Sequence, residues 1–398
     1  MSSRFASNCD ALYVGFLTGH GGDAVQMLHL ADGMHRRGAR VRMVVPLTDT
    51  SIVFAEQCAA LGIECERTNL IRSDQSGPRQ SFRSMIRLAR SLRAPIVHFH
   101  TGNSCLPRVL MVALELTRAP RAFATIQSPY ETIEPTSIRA KFWALAARRR
   151  LHAVVSPSEH GSVFQRSCGL DDCQVFTARN AINTEAIARG DANRPRAELG
   201  LTPDEDLIVF TSRIDGQKRP VDAVRMFAQV ANDFPQVSLV FVGTGDNSAE
   251  VSRVAEELGV AGRVRLLGHR TDVADWLAAL AVWILPTERE NFSVAILEAL
   301  AAGCPVLSTT CPGNTEVLVD NDNSLTFGVG DIDAGSAALR RLLSDPALRA
   351  RLSQRGVECA RAYTVDHMVD EYMHLYDRFG ALPGHLGHNA DPTMVSGN

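Results

Sequence analysis

Lysine is almost missing from this chain. Of its 41 basic residues only Lys141 and Lys218 are lysines; the other 39 are arginines. Each lysine therefore stands against the local drift towards arginine. The nine cysteines contain no CxxC pair, and Cys168 and Cys173 are too isolated to suggest a zinc site. Scattered cysteines in odd number point to a reducing, cytoplasmic setting. The first ten residues lack the apolar core of a secretory signal. No run approaches the roughly 18 apolar residues of a membrane-spanning helix. A large positive charge is missing too. The net charge of −3 excludes a globally basic nucleic-acid wrapper but leaves room for a local basic patch. What remains is a chain of 398 residues, 45% hydrophobic and 21% charged, of the size and composition of a globular protein with two domains.

Residues 11–16 (ALYVGF) form a short apolar run, read as a buried strand. A turn at Gly19-His20-Gly21-Gly22-Asp23 follows, then a helical stripe of Val25, Leu28, Ala31 and Met34 that Gly38 ends. With the strand at 41–45 this makes a βαβ unit. Further strands are expected at 96–99, 121–126 and 153–156, separated by helices. The polar stretch 187–197, with Gly and Pro, reads as a linker. A second series of strands is expected at 207–211, 238–242, 264–267, 282–285, 306–308 and 325–327. Alternation in both halves predicts parallel sheets covered by helices. Two such domains place a cleft between them, with the chemistry on loops that follow strands. Residues 383–398 lack periodicity and are expected to be a disordered tail.

The sharpest segment is 286–303, PTERENFSVAILEALAAG. It follows a strand, places Glu290 in the loop, starts a helix near Ser293 and ends it at Gly303. The free amides near Ser293 and Val294 form an anion site, with Glu290 before it and Glu298 about one turn inside the helix. Carboxylates so placed accept hydrogen bonds from sugar hydroxyls. Isolated acids near a helix start would say little by themselves. The second segment is 210–220, FTSRIDGQKRP, where Arg213 and Lys218 flank a turn at Asp215-Gly216. Two cations on one strand-to-helix loop can clamp a diphosphate.

These residues resemble the family 4 glycosyltransferases, nucleotide-sugar enzymes of the α/β GT-B fold with two facing Rossmann-like domains. The match runs in order through Gly21-Gly22, Asn180-Ala181-Ile182-Asn183, Arg213 with Lys218, Gly243-Thr244-Gly245 and Leu266-Leu267-Gly268. It continues through Glu290-Asn291-Phe292-Ser293 to Glu298, and Gly313-Asn314-Thr315-Glu316. The resemblance implies an acceptor domain at 1–187 and a nucleotide-sugar domain at 198–365. A helix at 366–382 would cross back to the first domain. Arg213 and Lys218 would neutralise the leaving diphosphate, and Glu298 would hold the ribose. Glu290, Asn291 and the backbone of Phe292, Ser293 and Val294 would hold the donor sugar. Gly21, Gly22, Gly243 and Gly245 would admit the phosphates. Gly268, His269 and Arg270 would lie near the base. The family retains anomeric configuration without a protein nucleophile, so electrostatic stabilisation of the departing nucleotide is the main contribution. The expected donor is a nucleoside diphosphate sugar, UDP favoured, and the acceptor a hydroxyl of a small molecule, glycan or lipid-linked compound.

Where the family commonly carries His after the strand at 121–126, this chain has Gln127, which implies altered recognition of the donor sugar. His98 and His100 end the preceding strand, and His100 is a candidate catalytic residue facing the cleft; an ordinary strand-end histidine is the alternative. Asp320-Asn321-Asp322 and Asp331-Ile332-Asp333 fit a metal-diphosphate pattern but read as turns. No metal or other cofactor is expected, and no nucleic acid. Two basic amphipathic stretches, 79–93 and 139–150, fit peripheral contact with an anionic membrane. They equally fit the commoner core stripe with a solvated basic face. A sugar-nucleotide epimerase of the same fold, a phosphorylase or a catalytically silent sugar-nucleotide-binding protein are the alternatives. The epimerase needs its own acid and base, and the phosphorylase needs a lysine for pyridoxal phosphate. The silent protein would be expected to lose Arg213, Lys218, Glu290 or Glu298 first.

Overall fold

The structure, a computed structural model, describes residues 9–16, 21–69, 82–103, 105–118, 120–128 and 134–389. The expected turn at Gly19-His20, residues 79–81 at the start of the first basic stretch and the end of the expected tail lie outside these residues.

Two compact units divide the chain: Met1–Ala181 with Val365–Asn398, and Ile182–Thr364. The first contains a parallel sheet of β1 (Ala11–Phe16), β2 (Val41–Pro46), β3 (Glu64–Thr68), β4 (Ile96–Thr101), β5 (Ala122–Ile126), β6 (Leu151–Ser156) and β7 (Val175–Thr177). Its strand order is β3-β2-β1-β4-β5-β6-β7. Every residue of β1 is buried because both faces of the strand are covered. Alternate side chains serve opposite cores. Leu12, Val14 and Phe16 join Leu110, Met111 and Trp143 on one side. Ala11 and Tyr13 join Met27, Leu30, Tyr372 and Tyr376 on the other. On that second face the helices Gly22–Arg36 and Val365–Arg378 touch at Gly33, where a Cβ would stand 2.3 Å from a Val369 methyl.

The second unit repeats the plan with β8 (Asp206–Thr211), β9 (Val237–Val242), β10 (Val264–Leu266), β11 (Val282–Leu285), β12 (Val306–Thr309) and β13 (Leu325–Phe327). The order is β10-β9-β8-β11-β12-β13, again parallel. Ile208 and Phe210 face a large core with Phe227, Trp283 and Leu297, and Leu207 and Val209 face a smaller one around Trp276. Truncating one such side chain to alanine costs about 2–5 kcal/mol.

The structure revises three sequence expectations. The stretch 187–197 is not a linker. It contributes to the helices Thr184–Ala188 and Asn193–Leu199 and is tied to the second unit, where Asp275 accepts from the Asp191 amide and from Arg194, each at 2.8 Å. The units instead part after Ala181 and after Thr364, so the helix Val365–Arg378 counts with the first unit. Residues 384–389 form a short 3-10 helix, Gly384–Asn389, with Leu386 buried, where a disordered tail was expected. β3 and β7 were not anticipated; both are edge strands.

Candidate functional site

Each sheet reverses its strand order once, between β1 and β4 and between β8 and β11. Parallel sheets bind ligands beyond the carboxyl ends of the strands at such a reversal. In the second unit the loops leaving β8 and β11 carry Arg213, Lys218 and Glu290.

These two loops are fastened together. Asp215 caps the one-turn helix Gly216–Lys218 by accepting from the Lys218 amide at 3.1 Å. Lys218 Nζ then meets Glu290 Oε1 at 2.5 Å, with both side chains buried. Neither charge is stable there alone, because desolvation is compensated only by the partner. Gln217 adds three further ties. Its side-chain amide donates to the Arg289 carbonyl at 2.9 Å, and its own carbonyl accepts from the Glu288 amide at 2.8 Å and from Thr287 Oγ1 at 3.2 Å. Arg213 pairs with Asp215 at 2.9 Å but stays 56% exposed, so its outer face is open to a ligand.

Beyond Glu290 the helix Val294–Ala301 begins at Ser293 with no side-chain cap and no acid in its first turn. Its first amides are thus oriented and uncompensated, the arrangement that receives an anion. Phe292 is buried against Tyr363, ring centroids 5.3 Å apart, so only its backbone faces the loop. Asn291 is buried too, and its carbonyl and that of Glu290 lie 2.4 Å from where a Gly313 Cβ would be. Gly313, at φ +85, is the residue that lets the loop after β12 close on this backbone. Glu298 makes no side-chain hydrogen bond to a described residue, and burial pushes its carboxyl up to about 7. The helix stops at Gly303, as expected, with φ +70.

Other expected donor residues have different local duties. A Cβ on Gly243 would fall 2.0 Å from the Ser212 carbonyl, and one on Gly245 would fall 2.3 Å from the Ile214 carbonyl. These glycines let the turn after β9 lie on the backbone of the Arg213 loop, where the Ile214 amide donates to Thr244 at 2.9 Å. Gly268 accepts from the Gly243 amide at 2.8 Å. The Arg270 guanidinium is committed to Glu198 at 2.8 Å and Asp272 at 2.7 Å and lies over Trp276. His269 stands next to it in the same loop.

The first unit holds a separate group. His100 is buried at the carboxyl end of β4, stacked on His98 with centroids 4.6 Å apart. Neither ring nitrogen has a hydrogen-bond partner among the described residues. Burial pushes the imidazole down to about 3, so it is neutral at physiological pH. His98 is fully bonded instead: Nδ1 to the Tyr376 hydroxyl and Nε2 to Thr125 Oγ1, both at 2.8 Å. The Gln127 amide donates to the Thr101 carbonyl at 2.9 Å, which places it at the same sheet edge. Gly21 begins the helix Gly22–Arg36, and a Cβ there would meet the Asp23 carboxylate at 2.7 Å. The two Asp-x-Asp sequences serve turns: Asp320 accepts from the Thr326 amide at 2.8 Å, and Asp331 caps the helix Ile332–Ser344. No cluster of metal-ligating side chains occurs among the described residues.

Sequence reasoning brought Arg213, Lys218, Glu290 and the start of the Val294–Ala301 helix to one place. It missed Gln217, and it named Asp215 and Gly313 without the parts they play. Their parts depend on backbone contacts between loops far apart in sequence, and no spacing announces those.

Two family models match. Residues 20–186 match Glycosyltransferase Family 4, and residues 191–358 match Glycosyl transferases group 1. The lipopolysaccharide core biosynthesis glycosyltransferase LpsE of Rhizobium meliloti is 30% identical over 181 residues, 45% of this chain and 52% of that protein. N-acetyl-alpha-D-glucosaminyl L-malate synthase of Bacillus anthracis is 27% identical over 203 residues, 51% of this chain and 53% of that protein. The chain thus spans about half the length of the curated relatives it matches. In fold it is similar to HepE of Anabaena, solved in complex with UDP-glucose, with a TM-score of 0.78 and 18% identity over 94% of this chain and 100% of that one. The α/β architecture is that of the GT-B glycosyltransferases, and the chain belongs to the family 4, group 1 glycosyltransferases.

Proposed function

We propose that this protein transfers a glycosyl group from a nucleoside diphosphate sugar, a UDP-sugar first among them, to an acceptor hydroxyl with retention of configuration. The observation that carries this reading is the junction of the loops after β8 and β11. It holds Lys218 and Arg213 beside an uncapped helix start. The α- and β-phosphates accept from Arg213, Lys218 and the first helix amides. Glu298, as the carboxylate, accepts from the ribose hydroxyls, and Glu290 both holds Lys218 and meets the donor sugar. The bond from C1 to the diphosphate oxygen breaks as the acceptor oxygen bonds C1 on the same face. The acceptor proton passes to a phosphate oxygen, so no protein base is consumed. Arg213 and Lys218 supply positive charge where the leaving group develops its negative charge, without a metal. Gln127 and neutral His100 line the sheet edge of the first unit, where they set sugar and acceptor preference by hydrogen bonding rather than by charge. The HepE complex with UDP-glucose supports the choice of donor. The test is proton NMR of UDP-glucose turnover with water as the acceptor. Release of α-glucose before mutarotation is expected, and β-glucose as first product would refute retention.

Membrane contact, where it occurs, belongs to the helix Ile138–Arg150. Ile138 is 84% exposed, Leu145 53% and Phe142 36%, with Arg139, Lys141 and Arg149 beside them. Trp143 is core, donating to Gln165 at 3.0 Å. The described part of the other basic stretch packs Met85, Leu88 and Ala89 inward and leaves one large apolar residue, Phe82, exposed. No described helix is long and apolar enough to cross a membrane. Flotation with phosphatidylglycerol vesicles should be reduced by Ile138→Ser with Leu145→Ser; unchanged flotation of that variant would refute this face.

A further inference from the structure

The residue after Lys218 adopts a conformation that few side chains tolerate. Arg219 has φ 51 and ψ 50, in the left-handed region, and it precedes Pro220. A residue before proline is already restricted, so two constraints meet at this position. A non-glycine residue persists there only when its surroundings hold it.

What holds it is Asp222. Arg219 Nε donates to Asp222 Oδ2 at 2.6 Å, and the Asp222 side chain is only 5% exposed. The Asp222 amide returns a bond to the Arg219 carbonyl at 3.0 Å, and Arg225 Nη1 donates to the second carboxylate oxygen at 3.3 Å. The guanidinium also fills the space beside Gly330, where a Cβ would lie 3.3 Å from Arg219 Nη2. The chain reversal at Arg219 ends the one-turn helix Gly216–Lys218 and starts the helix Pro220–Val230. It therefore sets the direction in which Lys218 leaves the backbone.

We propose that Asp222 and Arg219 form a latch that positions Lys218 towards Glu290 and the donor diphosphate. The latch rests on the donor-site reading given above. Asp222 touches no substrate; it acts through Arg219 and the loop. The strain predicts a specific rescue. Glycine takes the left-handed conformation without help, so Arg219→Gly should make Asp222 dispensable.

The experiment compares wild type, Asp222→Ala and the double variant R219G/D222A. Titration calorimetry with UDP and hydrogen exchange of the peptide covering 213–219 in the free protein are the two readouts. D222A should bind UDP about tenfold more weakly, about 1.4 kcal/mol, and should exchange faster at 213–219. The double variant should return to within about threefold of wild type in affinity and regain protection. Asp222→Asn, which keeps the packing volume, should fall between wild type and D222A. Unchanged exchange and affinity in D222A, or a double variant as weak and as unprotected as D222A, would overturn the latch. A wild type that binds no nucleoside diphosphate would sink the donor-site reading. The exchange data would still decide the latch.

Discussion

The two units place their buried polar side chains in opposite ways. In the first, His98, Thr125, Tyr372 and Tyr376 bond one another inside the packed face between the sheet and the helix Val365–Arg378, through contacts of 2.8 Å. In the second, Lys218, Glu290 and Asn314 cluster at the carboxyl edge, on loops after β8, β11 and β12. The first arrangement specifies how a helix docks: every hydroxyl of the network is bonded, Thr125 to both His98 and Tyr372, and a shifted helix would leave several unmet. The second leaves charge beside an open helix start, where a ligand completes what the protein does not. Similar sheets thus carry polar networks for different purposes, and position along the strand separates them.

The comparison breaks most visibly at Lys218. Lys218→Met should lower glycosyl transfer by about 10²–10³-fold, the range for removing one preorganised charge donor. It should also destabilise the fold by about 3–5 kcal/mol, because Glu290 is left buried and unpaired. The double variant Lys218→Met with Glu290→Met should recover most of that stability and none of the activity. Melting temperature and UDP-glucose turnover separate the two effects; recovery of activity in the double variant would contradict the roles given to the pair.

In the first unit Tyr376→Phe should cost about 1–3 kcal/mol, the price of an unmet buried nitrogen on His98. It should leave UDP affinity unchanged. A changed affinity would mean that the network takes part in the donor site.

The pH responses should run in opposite directions. His100 is held down to about 3 by burial, below its ordinary 6.5. The unfolded chain takes up that proton first, so the contribution is complete above pH 6.5 and is lost as pH falls towards 3. His100→Asn should flatten the acid limb of the stability curve by up to about 1.4 kcal/mol per pH unit. Glu298 is raised from 4.5 to about 7, so its contribution is complete below pH 4.5 and is lost as pH rises through 7. Ribose hydroxyls favour its carboxylate, so UDP binding near pH 6.5 should release a fraction of a proton. Calorimetry in buffers of different ionisation enthalpy measures it, and Glu298→Gln should abolish it. Proton uptake in the wild type would contradict the assignment.

The same contrast explains what was legible in the sequence. Most strands of the second unit announce themselves as apolar runs covered on both faces, as with LIVF at 207–210, while its edge strand β10 (VRL) leaves Arg265 and Leu266 exposed. In the first unit β3 reads ECERT and sits at the sheet edge, so its exposed positions carry charge and no apolar run forms. β7 has three residues and one neighbour. The Gly and Pro of 187–197 mimic a linker but serve packing: Pro195 lies within the helix Asn193–Leu199, and a Cβ on Gly190 would fall 2.2 Å from the Ala274 carbonyl. Arg213, Lys218 and Glu290 were legible because charged residues on strand-to-helix loops suit ligand chemistry, and Glu298 because it lies about one turn inside the helix that such a loop starts. The pairing of Lys218 with Glu290, 72 residues apart, was not, because sequence spacing does not encode which loops meet. His100 was legible only in part. Its place at a strand end was legible, but its burial, its stacking on His98 and its neutral ring depend on packing that no spacing announces.

The most direct test of the account is calorimetric titration of wild type and Arg213→Ala with UDP, GDP, ADP, CDP and dTDP. The account predicts that the wild type binds UDP most tightly and that Arg213→Ala weakens it at least tenfold, while Tyr376→Phe, measured alongside, does not. Equal binding of UDP by wild type and Arg213→Ala, with the protein folded in both, would contradict a donor site built on the loop after β8.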